Sequence, residues 1–150
     1  MNNAIRIISG IIIFALIAVS IFVPVSVSAA NYTAPANAKF ITDVTVGRIL
    51  AGITPGTTVS DLETMFSGYT LSVKNASNAT ITGNTKISTG CKVSVLSSGS
   101  TVDTFITIIY GDVNNDGIID STDSVAIIQA ITGNTTFDRI NFLAADITND

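Results

Sequence analysis

Histidine is absent from the 150 residues, and cysteine occurs once, at Cys91. Without histidine, neither a Ser-His-Asp nor a Cys-His catalytic set can be assembled. The same two shortages leave a zinc or copper site almost no ligands, because those ions favour imidazole and thiolate. A lone cysteine excludes an internal disulfide. With no base near it in sequence, Cys91 reads as a small buried residue. Charge is scarce as well: 12% of residues, and a net charge of −4. Nothing is basic enough for nucleic acid or an anionic membrane surface. The three prolines mark breaks. Pro24 ends an apolar run, Pro35 lies in a polar stretch, and Pro55 sits in the turn Thr54-Pro-Gly-Thr57.

The long apolar run from Ile7 to Val23 comes first in the chain. Arg6 precedes it, and the small-residue stretch Ser26-Val-Ser-Ala-Ala30 follows. That order predicts an export signal over 1–30, cleaved after Ala30. An uncleaved anchor is the rival reading, since the run approaches a membrane-spanning length. Much of the mean hydropathy of +0.54 comes from this segment. Residues 31–39 then read as a linker. A bacterial secreted or cell-surface location follows, with no membrane contact beyond the signal segment. An exported chain without disulfides could take its cross-linking from a bound cation. The N-x-[ST] patterns at Asn31, Asn75, Asn78 and Asn134 read as coincidence in such a chain.

From residue 40 to 110, short β-type runs alternate with Gly/Ser/Asn turns. The expected strands are Phe40 to Val46, Thr70 to Lys74, Thr80 to Ile81, Lys92 to Leu96 and Val102 to Tyr110, in a mostly antiparallel sheet. One short helix interrupts them. Ser60 is its expected N-cap and Glu63 the capping partner, with Leu62 and Phe66 on one face. The fold class is therefore α+β. Asp61 and Glu63 fall in the expected first turn of the helix, where the helix dipole accounts for them. Asp43 and Asp103 stand apart in sequence, and no pair of carboxylates for glycosidase chemistry is evident. Tyr32, Tyr69 and Tyr110 are scattered and read as core or strand-edge residues.

The stretch Asp112-Val-Asn-Asn-Asp-Gly-Ile-Ile-Asp-Ser-Thr-Asp123 carries most of the chemistry. Oxygen ligands recur at Asp112, Asn114 and Asp116. Gly117 stands where a calcium loop must turn sharply. Ile118 would offer its backbone carbonyl, Asp120 a water-mediated contact, and Asp123 a bidentate carboxylate. A hard cation such as Ca2+ takes six to eight oxygens, and this loop can supply about that number. The pattern D-x-[DN]-x-[DN]-G-x5-E is met except that its last acid is Asp. An Asx-rich surface turn is the plainer alternative.

The flanks differ from those of an ordinary EF-hand, which has a helix on each side. The entry, Thr104-Phe-Ile-Thr-Ile-Ile-Tyr110, reads as a strand. The exit, Asp123 to Gly133, reads as a helix with Val125, Ile128 and Ile131 on one stripe and Gly133 as its stop. An EF-hand-like loop with only its exiting helix resembles the type I dockerin repeat of bacterial cellulosome and cell-surface proteins. Gly111-Asp-Val-Asn-Asn-Asp-Gly117 and the run from Asp123 to Gly133 carry that resemblance. Asn141 to Asp150 looks like the lead-in to a second loop, with Asp146, Thr148 and Asp150 at its first, third and fifth positions. This reading makes 111–150 a dockerin-like module with a complete first repeat and a truncated second one; a natural chain end is the alternative. Ala51-Gly-Ile-Thr-Pro-Gly-Thr-Thr-Val-Ser-Asp61 resembles the small β-rich domain that often precedes dockerins in Clostridia-like surface proteins.

The resemblance implies a calcium-binding interaction protein that docks onto a cohesin of a scaffold or surface protein. It places partner choice at Ser121, Thr122, Ile128 and Gln129. Ser121-Thr122 looks like the clostridial pair, whereas Ile128-Gln129 looks more like ruminococcal versions. No catalytic set is expected. Two other readings stay open: the N-terminal part of a polysaccharide-degrading enzyme that carries a dockerin, and a calcium-stiffened stalk.

Overall fold

A computed structural model describes residues 33–147 of the chain. The export segment expected over 1–30, Tyr32, Thr148 and Asp150 lie outside the described residues. No helix among the described residues is long and apolar enough to cross a membrane.

Six strands form one sheet: β1 (Phe40–Asp43), β2 (Gly47–Ala51), β3 (Thr70–Lys74), β4 (Thr80–Ile81), β5 (Lys92–Ser97) and β6 (Ser100–Ile108). Their spatial order is β1-β2-β6-β5-β3-β4. The β2–β6 pair is parallel and the other four pairs are antiparallel. Three short helices complete the α+β fold among the described residues: α1 (Val59–Met65), α2 (Ser121–Ile131) and α3 (Arg139–Ala145).

The expected strand from Phe40 to Val46 ends early. Asp43 turns its Oδ1 onto the N–H groups of Thr45 (2.8 Å) and Val46 (2.9 Å). This side-chain turn reverses the chain and opens β2, a strand the sequence reading did not separate. β2 is an inner strand: it joins β1 to β6 and buries Ile49, Leu50 and Ala51. At the other end, β6 closes at Ile108, two residues before the expected Tyr110.

The expected N-cap of α1 is also displaced. Thr58, not Ser60, is the cap, and Asp61, not Glu63, is its capping-box partner. Thr58 N–H donates to Asp61 Oδ2 at 2.8 Å, and Asp61 N–H donates to Thr58 Oγ1 at 3.2 Å. Packing decides this. Starting the helix at Val59 buries Val59 together with Leu62 and Phe66. An isolated bridge between Thr58 and Lys86 holds the cap in extended backbone.

The two faces of the sheet are covered differently. One face carries the main core: Leu50, Val73, Val93, Val95 and Phe105 pack with Val59, Leu62 and Phe66 of the α1 segment. Phe66 stacks on Phe105 at 5.4 Å between ring centroids, and Phe40 meets Phe105 edge-on at 5.0 Å. Cys91 is fully buried in this core, as expected for a small apolar residue. The opposite face is covered at its β1–β2–β6 end. There Ile49, Ala51 and Ile108 meet Val113 and Ala144, with Ala126, Ile127 and Leu143 packed around them.

Candidate metal centre

β6 runs to within a few residues of the acidic loop, so the longest strand of the sheet leads the chain to Asp112. Asp112 is fully buried. Its Oδ2 accepts from Thr89 N–H (2.7 Å) and Gly117 N–H (3.3 Å), and its Oδ1 from Asp116 N–H (3.1 Å). At the far end, Asp123 is only 3% exposed. Its Oδ1 accepts from Val113 N–H (2.9 Å) and Asn114 N–H (3.2 Å), and its Oδ2 from Asp120 N–H (2.9 Å). One carboxylate therefore ties the start of the loop to its end.

Asp123 is also the third residue of α2. The helix begins at Ser121, two residues before the expected start, with Asp120 as N-cap and Asp123 as the reciprocal capping partner. Asp120 Oδ1 accepts from Thr122 Oγ1 (2.6 Å) and Thr122 N–H (2.7 Å). The Thr122 hydroxyl, followed by the Thr122 N–H, holds the Asp120 carboxyl below the ordinary carboxylate range. At the other end, Gly133 N–H donates to Ala130 O and Asn134 N–H to Gln129 O, with Gly133 at φ +76°. That pair of bonds is the glycine stop expected from the sequence.

Asn114 and Asp116 complete the set. Asn114 Nδ2 donates to Asp116 Oδ2 (2.9 Å) and Thr122 Oγ1 (2.8 Å), while Asp116 Oδ1 accepts from Ile118 N–H (2.8 Å). Gly117 turns at φ +80°, and a Cβ there would stand 2.8 Å from Ile87 O. Glycine is thus required twice over, by conformation and by space.

All six expected ligand positions, Asp112, Asn114, Asp116, Ile118, Asp120 and Asp123, lie within this one loop. Their oxygens are not gathered on a common point: among the described residues, no three His, Cys, Asp or Glu side chains form a metal cluster. The acids are turned instead onto neutral donors, mostly N–H groups of the loop and, for Asp112, also the Thr89 N–H outside it. The charge balance nevertheless fits a cation. The ion pairs among the described residues are Arg48–Asp103 and Arg139–Asp43, and neither Asp112 nor Asp123 has one. Two buried carboxylates served only by neutral N–H donors are costly unless a cation joins them. The oxygen-only side-chain donors suit a hard cation.

Asp43 and Asp103, read as isolated from the sequence, are each paired. Arg48 NH1 stands 3.3 Å from Asp103 Oδ2. Arg139, at the start of α3, donates to Asp43 Oδ2 through Nε (3.0 Å) and NH2 (2.8 Å). These partners are distant in sequence, so no local signal pointed to them. The helix α3 was not anticipated either, although Asp138 and Asn141 form a reciprocal cap that the sequence carries. It bears on the loop directly: Asn141 Nδ2 donates to Val113 O at 2.8 Å, and Gly111 N–H donates to Ala144 O at 2.8 Å.

The expected partner residues Ser121, Thr122, Ile128 and Gln129 are all exposed on α2. Val125, Ile128 and Ile131 are 51%, 59% and 80% exposed, so the predicted stripe faces outward, while Ala126 and Ile127 pack against the sheet. Of the second expected ligand set, Asp146 is the C-cap of α3.

Residues 110–150 match the family model of the dockerin type I domain. The chain is therefore a type I dockerin-containing protein. As a class, these domains bind calcium and cohesins, and they occur in extracellular or cell-surface bacterial proteins. No curated protein and no solved structure matches the chain at a significant level.

Proposed function

We propose that the 112–123 loop is a calcium site that orders α2 for docking onto a cohesin of a bacterial scaffold or surface protein. Asp112, Asn114 and Asp116 would supply side-chain oxygens, Ile118 its carbonyl, Asp120 a contact through water, and Asp123 both carboxylate oxygens. The observation that carries this reading is the pair of buried carboxylates, Asp112 and Asp123, with no ion-pair partner among the described residues. A bound cation would supply the missing positive charge. Because Asp123 closes the loop and caps α2, holding it would also hold the helix.

The docking face in this proposal is Ser121, Thr122, Ile128 and Gln129. Their exposure supports the assignment, as does the apolar character of Ile128. The proposal gives the chain no catalytic role. Its support is the missing histidine and the structural work already done by the acids: Asp61 caps α1, and Asp43 and Asp103 are ion-paired. Export, a link to polysaccharide breakdown in a cellulosome-type assembly, and a second calcium set at Asp146, Thr148 and Asp150 belong to the same proposal.

The test is calorimetry of calcium binding, followed by binding to a panel of immobilised cohesins with calcium and with chelator. The expected result is calcium binding no weaker than the ~10⁻⁴ to 10⁻³ M range of extracellular modules. At least one cohesin should be held with calcium and released by chelator, and Ile128→Asp should abolish that binding. Calcium binding without any cohesin would favour the stalk. No calcium binding would end the proposal.

A further inference from the structure

We infer that Thr89, in the loop leading into β5 and outside the dockerin match, is a positioning residue for the calcium loop, so that the sheet helps to set the calcium affinity. The inference rests on the calcium reading above. Thr89 is fully buried. Its hydroxyl accepts from Ile109 N–H (3.1 Å) and donates to Ile109 O (3.2 Å), standing in for a strand partner where β6 ends. The hydroxyl can serve both groups because it has one donor and two acceptor positions. Anchored in this way, Thr89 points its own N–H at Asp112 Oδ2 at 2.7 Å, the shortest hydrogen bond to that carboxylate.

The loop around Thr89 is itself fixed to the sheet. Thr107 Oγ1 donates to Ser88 O at 2.7 Å, Gly90 N–H donates to Thr107 O at 2.9 Å, and Thr107 N–H donates to Cys91 O at 2.9 Å. Two residues before Thr89, Ile87 O comes so close to Gly117 that a Cβ there would stand 2.8 Å from it. The 87–89 segment therefore touches the calcium loop twice, at its first ligand and at its sharp turn. Ile87 and Cys91 belong to the main core, so this segment cannot shift without disturbing it. A buried N–H aimed at a carboxylate makes a charge-assisted bond and orients the oxygens before any cation arrives. Such outer partners typically change metal affinity by about 10–100-fold.

Two experiments on the full chain test this. The first is amide hydrogen exchange with and without calcium. Slowing at 87–91 of about tenfold or more is expected, because local opening there would require release of Asp112. Protection confined to 110–147 would overturn the inference, and this measurement needs no variant to fold. The second is calcium calorimetry on Thr89→Val and Thr89→Ser. Thr89→Val should bind about 10–100-fold more weakly, and Thr89→Ser, which keeps the hydroxyl, should stay close to the parent. A folded Thr89→Val with parental affinity refutes the positioning role while leaving the calcium site intact. A parent chain that binds no calcium ends both readings.

Discussion

The two faces of the sheet are stabilised by different physics. On one face, three phenylalanines and a row of Val, Ile and Leu make an apolar core against which α1 packs. On the other, the segment after Ile108 is held by a small apolar cluster and a dense set of hydrogen bonds around two buried carboxylates. The first arrangement depends on area removed from water and is indifferent to ions. The second depends on charge placed where water is scarce, so its stability should follow the cation. On the proposed calcium reading, the chain would combine an ion-independent frame with an ion-dependent face, and Thr89 lies where the two meet.

The largest expected effect is on the frame. Phe105→Ala removes the ring that both Phe40 and Phe66 contact and should cost about 3–5 kcal/mol. Urea unfolding followed by circular dichroism should show strand and helix signals lost together at a lower midpoint. If α2 kept its parental stability, the two faces would be independent. Next is Asp123→Ala, which orphans the N–H groups of Val113, Asn114 and Asp120. A loss of about 3 kcal/mol is expected from those donors. Calcium affinity should fall by more than the ~100-fold typical of an outer-shell change. Parental calcium binding by this variant would remove Asp123 from the ligand set.

Chelation should have a smaller and local effect. Helix signal from α2 should decline while the β signal persists, since the main core contains no loop ligand. Cooperative loss of both signals would mean that the frame cannot stand without the cation.

The smallest effect concerns Arg139 and Asp43. Arg139 first, then the N–H groups of Val46 and Thr45, hold the Asp43 carboxyl at about 2, below its ordinary 3.8. A carboxylate lowered in the folded state adds stability above its unfolded pKa and loses that contribution as pH falls through the folded value. Arg139→Gln should therefore lower Tm slightly at neutral pH, because the arginine is half-exposed and screened by solvent. The difference from the parent should fade between pH ~4 and ~2. A difference unchanged at pH 2 would assign Arg139 to packing instead.

The sharp loop turn at Gly117, the glycine stop at Gly133 and strands β3 and β4 were legible because each depends on residues close together in sequence. The loop needs particular side chains at alternate positions, and a strand needs β-branched residues in a short run. These local requirements specify the α+β class and the residues from Asp112 to Asp123. Tertiary structure decided the rest. Asp43 could end a strand or continue it until its side chain met the Thr45 and Val46 amides. Ser60 could cap α1 until the burial of Val59 favoured Thr58. Thr89, 23 residues before Asp112, reads as an ordinary turn residue in Ser-Thr-Gly-Cys. Only the pairing of β5 with β6 brings its N–H to the first acid of the loop, because the position of a backbone donor is fixed by the fold around it and leaves no mark on residue type.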